Sequence, residues 1–566
     1  MTLTGFLLTY DAGRCARRTI ASLPAWAIKV MNSPDIIFIV LDTQRVDRLG
    51  CYGHTRSITP NLDRFAASGA LFEQAVSPAQ WTIPSHASLF TGLYPTSHGV
   101  TQSSQSLSEG RPHLAEVLRR LGYETIGFCN NPLVGVLNNG FKRGFQTYYN
   151  YGGAFPSVPD SSNPWPWPMS QIAEWYTQFL RRISYPIQNF VGRSDLAFRV
   201  SLHSWLTPLW SRIANFKGQN ERSVQDGVHF IEQRETNAAD RPLFLFMNLM
   251  ETHLPFWAPG EFVDRVAPYF RHSKEARAVM SKWNREAYRW AAPLAEPLSE
   301  LEDRVLNDMY DAEVAYQDHY LGALFEALGR RKRGRDTLTV IVADHGDGLG
   351  DHDLIGHSFV AYEELVHVPL IIHWPGQVEA ETRVDSPVST RRVFHTILDA
   401  AARTEQQAAI VDGMLADDGP NVRRLSLRHT LAGRDPEQQT AYSEVYPPLN
   451  FVKAVESRQP DLLEKFRCLS IRRAVVRPSS ENGGAPVKLI EVEEVPEELY
   501  NLTADPQEAD NIIERYPATA SALEKSLDQM VQRARREGEK QPAGAAVDLE
   551  GDELLRQRLR GLGYLE

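Results

Sequence analysis

Short, continuous apolar runs that each end in a polar residue are the feature that most constrains how this chain folds. The clearest is DIIFIVLD at residues 35–42, which is typical of a strand buried on both faces of a sheet. Similar runs end at His253 and at Asp344, and amphipathic helices such as residues 311–331 lie between them. The alternation predicts an α/β fold with a doubly wound, mostly parallel sheet flanked by helices.

Polar residues at these strand ends are the first candidates for a functional site. Asp42 ends one predicted strand, His253 follows another, and the pair Asp344–His345 ends a third. Ligands of open α/β sheets bind at the carboxyl ends of the strands, so these side chains are expected to meet. Two Asp and one His in a buried cleft suit a divalent cation such as Zn²⁺ or Mn²⁺. The alternative is that Asp344 or His345 only caps a helix.

The stretch WTIPSHASLFTGLYPTSHGV, residues 81–100, carries two candidate nucleophiles, the hydroxyls of Thr82 and Ser85. Pro84 restricts the backbone between them, and the residues that follow predict a helix that begins at Ser85. Thr82 would then face the cleft at the helix N-terminus, where negative charge is stabilised. A hydroxyl held on a metal loses its proton readily and becomes a nucleophile. The alternative is that both hydroxyls only cap the helix.

Composition changes divide the chain into three predicted regions. Residues 1–34 form an N-terminal extension that is expected to be poorly ordered, and residues 35–400 form the main domain. A Trp-rich, mainly helical insertion at about residues 150–240 interrupts the alternation of strands and helices. Its alternative interpretations are a lid, an oligomer contact and a small separate core. Residues 401–566 predict a smaller C-terminal α+β subdomain and a tail.

Charge and composition exclude several classes of partner. The 566 residues carry a formal net charge of −11, so nucleic acid binding is not expected. Four widely spaced cysteines indicate no disulfide framework, and no run reaches the ~18–20 apolar residues of a transmembrane helix. We expect a cytoplasmic protein, for which a homo-oligomer is compatible with the sequence. Export is the alternative, because Arg17–Arg18 faintly resembles a twin-arginine signal.

Six segments of the chain, in a fixed order, carry a family resemblance. They include IVLDTQRVD, WTIPSHASLFTG, METH and VADHGDGLGDH, within residues 36–77, 81–100, 246–256, 310–328, 340–376 and 498–511. Together they resemble the sulfatase family of the alkaline phosphatase superfamily. The resemblance implies an alkaline phosphatase-like fold and a metal-dependent hydrolase of phosphate, phosphonate or sulfate esters. Its substrate would be a small anionic ester.

The resemblance assigns roles to the strand-end residues. Asp42 matches the first metal carboxylate of the family, and Asp344 and His345 match the metal pair on the later strand. Thr82 stands where the family's nucleophile stands, and that nucleophile also contacts the metal. Thr43 replaces the second Asp of a pair that many sulfatases carry, so Zn²⁺ or Mn²⁺ is expected more than Ca²⁺.

Three histidines complete the site that the resemblance implies. His86 occupies the place of an Arg that orients the nucleophile, His253 matches a histidine that contacts the transferred group or the leaving oxygen, and His357 falls near the family's active-site Lys. His253 and His357 then donate protons or stabilise charge beside one metal. Alternatively, they bind a second metal together with Glu251.

Thr82 departs from the family pattern in a way that bears on the bond that is cleaved. Sulfatases of this type oxidise the Cys or Ser of C/S-x-P-x-R to formylglycine, whereas residues 82–86 read TIPSH. Oxidation of Thr gives a ketone and the Arg is His86, so formylglycine is not expected. An unmodified alcohol nucleophile favours attack on phosphorus over attack on sulfur. The sequence therefore predicts a phosphodiester or phosphonate ester hydrolase with Thr82 as nucleophile. The alternatives are a sulfatase or phosphotransferase with the same site, and an inactive relative that only binds.

Overall fold

A computed structural model of the chain describes residues 33–152, 217, 219–237, 241–285, 289, 292–331, 336–415, 422–540, 544 and 546. Residues 1–32, most of the Trp-rich insertion expected at about residues 150–240, and the tail after residue 546 lie outside the described residues. What the sequence predicts for these three regions therefore stays a prediction.

The strands form one large sheet and smaller ones. They are β1 (Asp35–Leu41), β2 (Ala70–Phe72), β3 (Ala75–Val76), β4 (Glu124–Cys129), β5 (Thr147–Asn150), β6 (Leu243–Leu249), β7 (Thr337–Ala343), β8 (Gly348–Leu349), β9 (Ile355–Gly356), β10 (Leu370–His373), β11 (Thr382–Val384), β12 (Val388–Ser389), β13 (Ala441–Val445), β14 (Arg472–Pro478), β15 (Pro486–Val492) and β16 (Val495–Asn501). The large sheet has the order β11-β2-β10-β7-β1-β6-β4-β5, and β10 runs antiparallel to both its neighbours. The predicted mostly parallel sheet is confirmed.

Helices cover both faces of this sheet, as expected for a doubly wound fold. They are α1 (Pro60–Ala67), α2 (Thr82–Thr91), α3 (Pro95–His98), α4 (Leu114–Arg120), α5 (Pro132–Gly135), α6 (Asn220–Thr236), α7 (Gly260–Val266), α8 (Lys274–Arg285), α9 (Glu300–Arg330), α10 (Glu363–Val366), α11 (Arg392–Ala401), α12 (Glu405–Met414), α13 (Leu427–Leu431), α14 (Leu449–Arg458), α15 (Pro460–Lys465) and α16 (Pro517–Gly538). Phe38 and Val40 of β1 pack in the core that contains α2, α4 and α11. Ile39 and Leu41 pack on the opposite face with α1, α6 and α9.

The register of the central strands decides which residues meet at the carboxyl edge of the sheet. β1 pairs in parallel with β6 and with β7, and Leu41 lies opposite both Leu249 and Ala343. The residues that follow the two strand ends, Asp42 and Asp344, therefore emerge side by side. The edge is also where ligands of such sheets bind.

Strands β13 to β16 form a separate antiparallel sheet, which confirms the predicted C-terminal α+β subdomain. α16 packs on one face of this sheet, and the other face contacts Val76 and Leu365. Residues after position 400 also complete the main core, since Val411 and Phe451 pack in the same cluster as α2. The boundary at residue 400 stays a prediction. In the described part of the chain, no helix is long and apolar enough to span a membrane.

A buried lysine connects the C-terminal sheet to the segment that follows β7. Lys488 of β15 is fully buried, and its Nζ lies 3.0 Å from Glu363 Oε1 and 2.9 Å from Glu508 Oε1. Glu363 begins α10, in which the Leu365 carbonyl accepts a hydrogen bond of 2.8 Å from the Gly346 N–H. The ion pairs therefore help to fix the loop that carries Asp344 and His345.

We expect Lys488→Ala to lower the free energy of unfolding by about 3–5 kcal/mol, because Glu363 and Glu508 are then buried without the ammonium group that contacts both. The measurement is urea denaturation followed by circular dichroism. Lys525→Ala removes the same side chain from an exposed position on α16, and we expect it to change the free energy by less than about 0.5 kcal/mol. Equal effects of the two substitutions would contradict the role assigned to Lys488.

Candidate metal centre and active site

Asp42, Asp344 and His345 have the geometry of a metal site. One ligand atom of each residue lies within 4.8 Å of the other two, and all three side chains are fully buried. Among the described residues, this is the one such group of at least three His, Cys, Asp or Glu side chains. The structure thus brings these strand-end residues together as expected, while their role as ligands stays a prediction.

Asp42 presents one buried carboxylate oxygen without a protein donor. Its Oδ2 accepts hydrogen bonds from the side-chain amides of Asn131 at 2.6 Å and Asn248 at 3.4 Å. Its Oδ1 accepts from no group of the described residues. Burial and the nearby charge of Asp344 raise the pKa of Asp42 well above its usual value. A cation beside Oδ1 would offset both the cost of burying the carboxylate and its repulsion from Asp344.

His345 presents a lone pair to the same point. Its Nδ1 lies 2.8 Å from the Gly346 carbonyl, so this nitrogen carries the proton and donates it. Nε2 is then unprotonated, and it lies 3.4 Å from Asp344 Oδ2 and 3.9 Å from Asp42 Oδ1. Burial lowers the pKa of His345 to about 4, which keeps the ring neutral at pH 7. This is the state in which histidine binds metals.

The donor set as a whole fits a divalent cation. Two carboxylates and one neutral imidazole converge in a buried cleft, and the remaining oxygens are oriented by the protein. Asp344 Oδ1 accepts from the N–H groups of Thr43 at 3.3 Å and His345 at 2.9 Å. Burial acts to raise the pKa of Asp344, but His345 and His86 outweigh it and hold the pKa below its usual value. Asp344 is therefore ionised and available as a ligand.

Thr82 lies beside this centre, at the first residue of α2. Its Oγ1 is 3.3 Å from His345 Nε2, and the side chain is fully buried. The helix was expected to begin at Ser85, and this expectation was wrong, because α2 already begins at Thr82. Ser85 does not cap the helix; its hydroxyl donates a hydrogen bond of 2.7 Å to the Asp344 carbonyl. The second candidate hydroxyl thus anchors α2 to the metal-site strand.

His86 lies one turn along α2 from Thr82, and its tautomer follows from a chain of hydrogen bonds. Asn248 Oδ1 accepts from the Asn131 N–H at 3.0 Å, which identifies the other side-chain atom of Asn248 as Nδ2. This Nδ2 donates to His86 Nε2 at 3.2 Å. His86 Nδ1 therefore carries the proton, and it lies 3.0 Å from the Thr82 carbonyl and 3.3 Å from Asp344 Oδ2.

His253 and His357 form the opposite side of the site. The His357 ring lies 4.5 Å from the His345 ring and 5.2 Å from the His253 ring, measured between centroids. His253 Nδ1 donates to the Leu254 carbonyl at 2.9 Å. Burial lowers the pKa of His253 to about 3 and that of His357 to about 4. Both rings are therefore neutral at pH 7.

Three residues of the site were not identified from the sequence. Asn131 and Asn248 orient Asp42, and Asp347 Oδ1 lies 2.9 Å from His357 Nδ1. Two of the three have a sequence feature that could have identified them. Asn131 follows a strand end, as Asp42 does, and Asn248 is a polar residue inside a buried strand. Asp347 lies three residues after Asp344, where sequence spacing alone gives no preference for a buried position.

Glu251, the residue considered for a second metal, contacts a different group. Its Oε1 lies 4.0 Å from Lys217 Nζ, which lies 2.7 Å from Glu313 Oε1. Burial and the neighbouring Glu313 raise the pKa of Glu251 to about 8. A second metal stays a prediction.

Comparison with known proteins gives the family. The sulfatase family model matches residues 34–402. The uncharacterized sulfatase YidJ of Escherichia coli is 25% identical over 373 residues, which cover 66% of this chain and 68% of the relative. The multifunctional alkaline phosphatase superfamily protein PehA of Trinickia caryophylli is 26% identical over 451 residues, which cover 72% of this chain and 81% of the relative.

Solved structures show the same fold. The phosphonate monoester hydrolase of Agrobacterium radiobacter superposes with a TM-score of 0.57 at 20% identity, over 88% of this chain and 96% of that protein. A putative sulfatase of Bacteroides thetaiotaomicron superposes with a TM-score of 0.56 at 18% identity, over 91% and 95% of the two chains. The chain belongs to the sulfatase family, within the alkaline phosphatase superfamily, and is an ester hydrolase.

Proposed function

We propose that this chain hydrolyses singly charged phosphorus esters, either phosphate diesters or phosphonate monoesters, with Thr82 as the nucleophile. The observation that carries the proposal is the position of an unmodified hydroxyl, Thr82 Oγ1, 3.3 Å from His345 Nε2 in the candidate metal centre. Thr cannot become formylglycine, so the Thr82 hydroxyl acts as an alcohol nucleophile. Water must then attack phosphorus a second time to remove the phosphoryl group from Thr82. A multifunctional relative and solved phosphonate monoester hydrolases support phosphorus, rather than sulfur, as the atom that is attacked.

Asp42, Asp344 and His345 are the residues that would hold a divalent cation, with the Thr82 hydroxyl beside them. A bound cation would favour the ionised hydroxyl and offset the negative charge that develops on the phosphoryl oxygens. The mixed oxygen and nitrogen donors favour Zn²⁺ or Mn²⁺. Ca²⁺ takes about six to eight oxygen ligands, and Thr43 stands where another carboxylate would add to that number.

The chain's own residues orient the nucleophile and move the proton. His86 donates from Nδ1 to the Thr82 carbonyl, which fixes the first turn of α2 and the direction of the hydroxyl. His253 and His357 are neutral imidazoles beside the centre. His253 Nδ1 already donates to the Leu254 carbonyl, so we assign the proton transfer to His357. Asp347, whose pKa burial raises to about 7, gives its proton to His357 Nδ1 at 2.9 Å as the proton on His357 Nε2 moves to the leaving alkoxide.

Charge supports a singly charged substrate. Among the described residues, no Lys or Arg forms a hydrogen bond or ion pair with Asp42, Asp344 or Thr82, and His86 stands in the place of the family's Arg. The charge of a divalent cation is already balanced by the two carboxylates. A second negative charge on the substrate therefore lacks a compensating cation, which at about 4 Å would contribute on the order of 4 kcal/mol at a typical protein dielectric.

For Thr82 we expect a covalent adduct. Brief reaction with an aryl phosphate diester should add a phosphoryl group to Thr82, as read by peptide mass spectrometry. Thr82→Ala should abolish the adduct and lower kcat by about 1,000-fold or more, because the nucleophile is lost. Thr82→Ser keeps an alcohol and should keep the adduct. A sulfuryl adduct from an aryl sulfate, resolved by accurate mass, would favour the sulfatase alternative instead.

For the metal we expect Asp344→Asn to lower the bound Zn²⁺ or Mn²⁺ from about one per chain to near zero, because a neutral amide replaces a charged ligand. Metal content after dialysis is measured by plasma mass spectrometry. Asp47→Asn is the matched control, since Asp47 comes after the neighbouring strand β1 but is half exposed and pairs with Arg45. Full metal content in Asp344→Asn would exclude this centre.

For selectivity we expect kcat/KM for an aryl phosphate monoester, a dianion at pH 8, to be about 100-fold lower than for the matching methyl diester or phosphonate monoester. The physical reason is the missing compensating cation at the centre. His86→Arg should reduce this difference in kcat/KM, because the guanidinium adds a positive charge beside the centre. A wild-type enzyme that prefers the dianionic monoester would contradict the proposal.

A further inference from the structure

A cavity of about 650 Å³ lies between the main domain and the C-terminal sheet. Residues 91–94 at the end of α2, the start of α11 and one face of α16 line it. α2 begins at Thr82 and is ten residues long, so the cavity lies about 15 Å from the nucleophile. It is therefore distinct from the active site, and its volume is typical of sites for small organic molecules.

Basic side chains dominate the lining of this cavity. Five are basic and two, Glu437 and Glu537, are acidic; the basic ones are Arg391, Arg424, Arg477, Lys525 and Arg533. Within the described part of the chain, Arg391 pairs with Glu437, whereas the other four basic side chains have no carboxylate partner. Such a local excess is unexpected in a protein with a net charge of −11, and it makes the cavity attractive to an anionic ligand.

One of these cations lies against an aromatic surface. The Tyr94 and Tyr442 rings meet edge to face, with centroids 5.9 Å apart, and the Arg391 guanidinium lies 4.3 Å above the Tyr94 ring. Arg477 and Arg533 line the same cavity as the two rings. The cavity therefore combines apolar ring faces with charges.

The number of cations, and the different elements that carry them, indicate more than one anionic group on the ligand. Lys525 and Arg533 are eight residues apart on the same face of α16, which separates their backbones by about 12 Å. Arg477 approaches from β14 and Arg391 from the start of α11. The lining carries three more basic than acidic side chains, an excess that a ligand with several negative charges compensates better than a single phosphate or sulfate.

We propose that this cavity, a basic crevice between the main domain and the C-terminal sheet, binds a small organic polyanion that carries two or more phosphate or sulfate groups. Guanidinium groups bind both kinds of oxyanion through paired hydrogen bonds, so the shared chemistry is a multiply charged oxyanion. The tyrosine rings contact the organic part of the ligand. The site goes beyond the proposed function and does not depend on it.

The test is calorimetric titration of the metal-loaded protein with two probes, inorganic tripolyphosphate and sucrose octasulfate. We expect one site per chain, and the probe that binds more tightly identifies phosphate or sulfate as the recognised group. The double variant Arg477→Gln/Arg533→Gln should weaken binding at least about tenfold. The matched control Arg535→Gln/Arg536→Gln changes exposed residues of the same helix outside the cavity and should bind like the wild type.

Asp344→Asn separates this site from the active site. Unchanged binding in that variant, together with hydrogen-exchange protection of residues 520–537, would support the crevice. Loss of binding in Asp344→Asn would place the ligand at the metal centre and overturn the proposal. Equal weakening in both Arg double variants, or no binding of either probe, would overturn it as well.

Discussion

Two carboxylates that face each other at the ends of adjacent parallel strands are the constraint on which the rest of the site depends. Burial and the charge of Asp344 raise the pKa of Asp42, so the arrangement is costly unless a cation or a proton compensates it. The protein fixes one oxygen of each carboxylate, through Asn131 and Asn248 for Asp42 and through backbone N–H groups for Asp344. The other oxygens point to the lone pair of His345. Folding and metal binding are thereby linked, because the cation offsets a cost that the fold itself creates.

The helix that carries the nucleophile is attached to the same strand end. The Ser85 hydroxyl donates to the Asp344 carbonyl at 2.7 Å, and His86 contacts both Thr82 and Asp344. The C-terminal part of the chain also reaches this point, since Gln80 Nε2 donates to the carbonyls of Ser358 at 2.9 Å and Tyr446 at 3.1 Å. The loop before Thr82 is therefore held from both regions of the protein.

The strand ends were predictable, and the network around them was not. DIIFIVLD and TLTVIVADHGD are continuous apolar runs, so their burial and the edge position of Asp42 and Asp344 follow from the sequence. The start of α2 was placed three residues too late, because Ser85 has the chemistry of a cap but donates instead to a distant strand. Asp347 also escaped prediction, because its partner His357 is set by tertiary packing.

The sequence by itself determined the fold class, the strand-end residues and the replacement of an oxidisable residue by Thr82, because these depend on local periodicity and on side-chain chemistry. Only the tertiary structure decided which tautomers His86 and His345 adopt, that Glu251 joins Lys217 rather than the metal centre, and that a basic crevice separates the C-terminal sheet from α2. Hydrogen-bond partners and local charge depend on residues that are distant in sequence, and the register of the sheet brings them together.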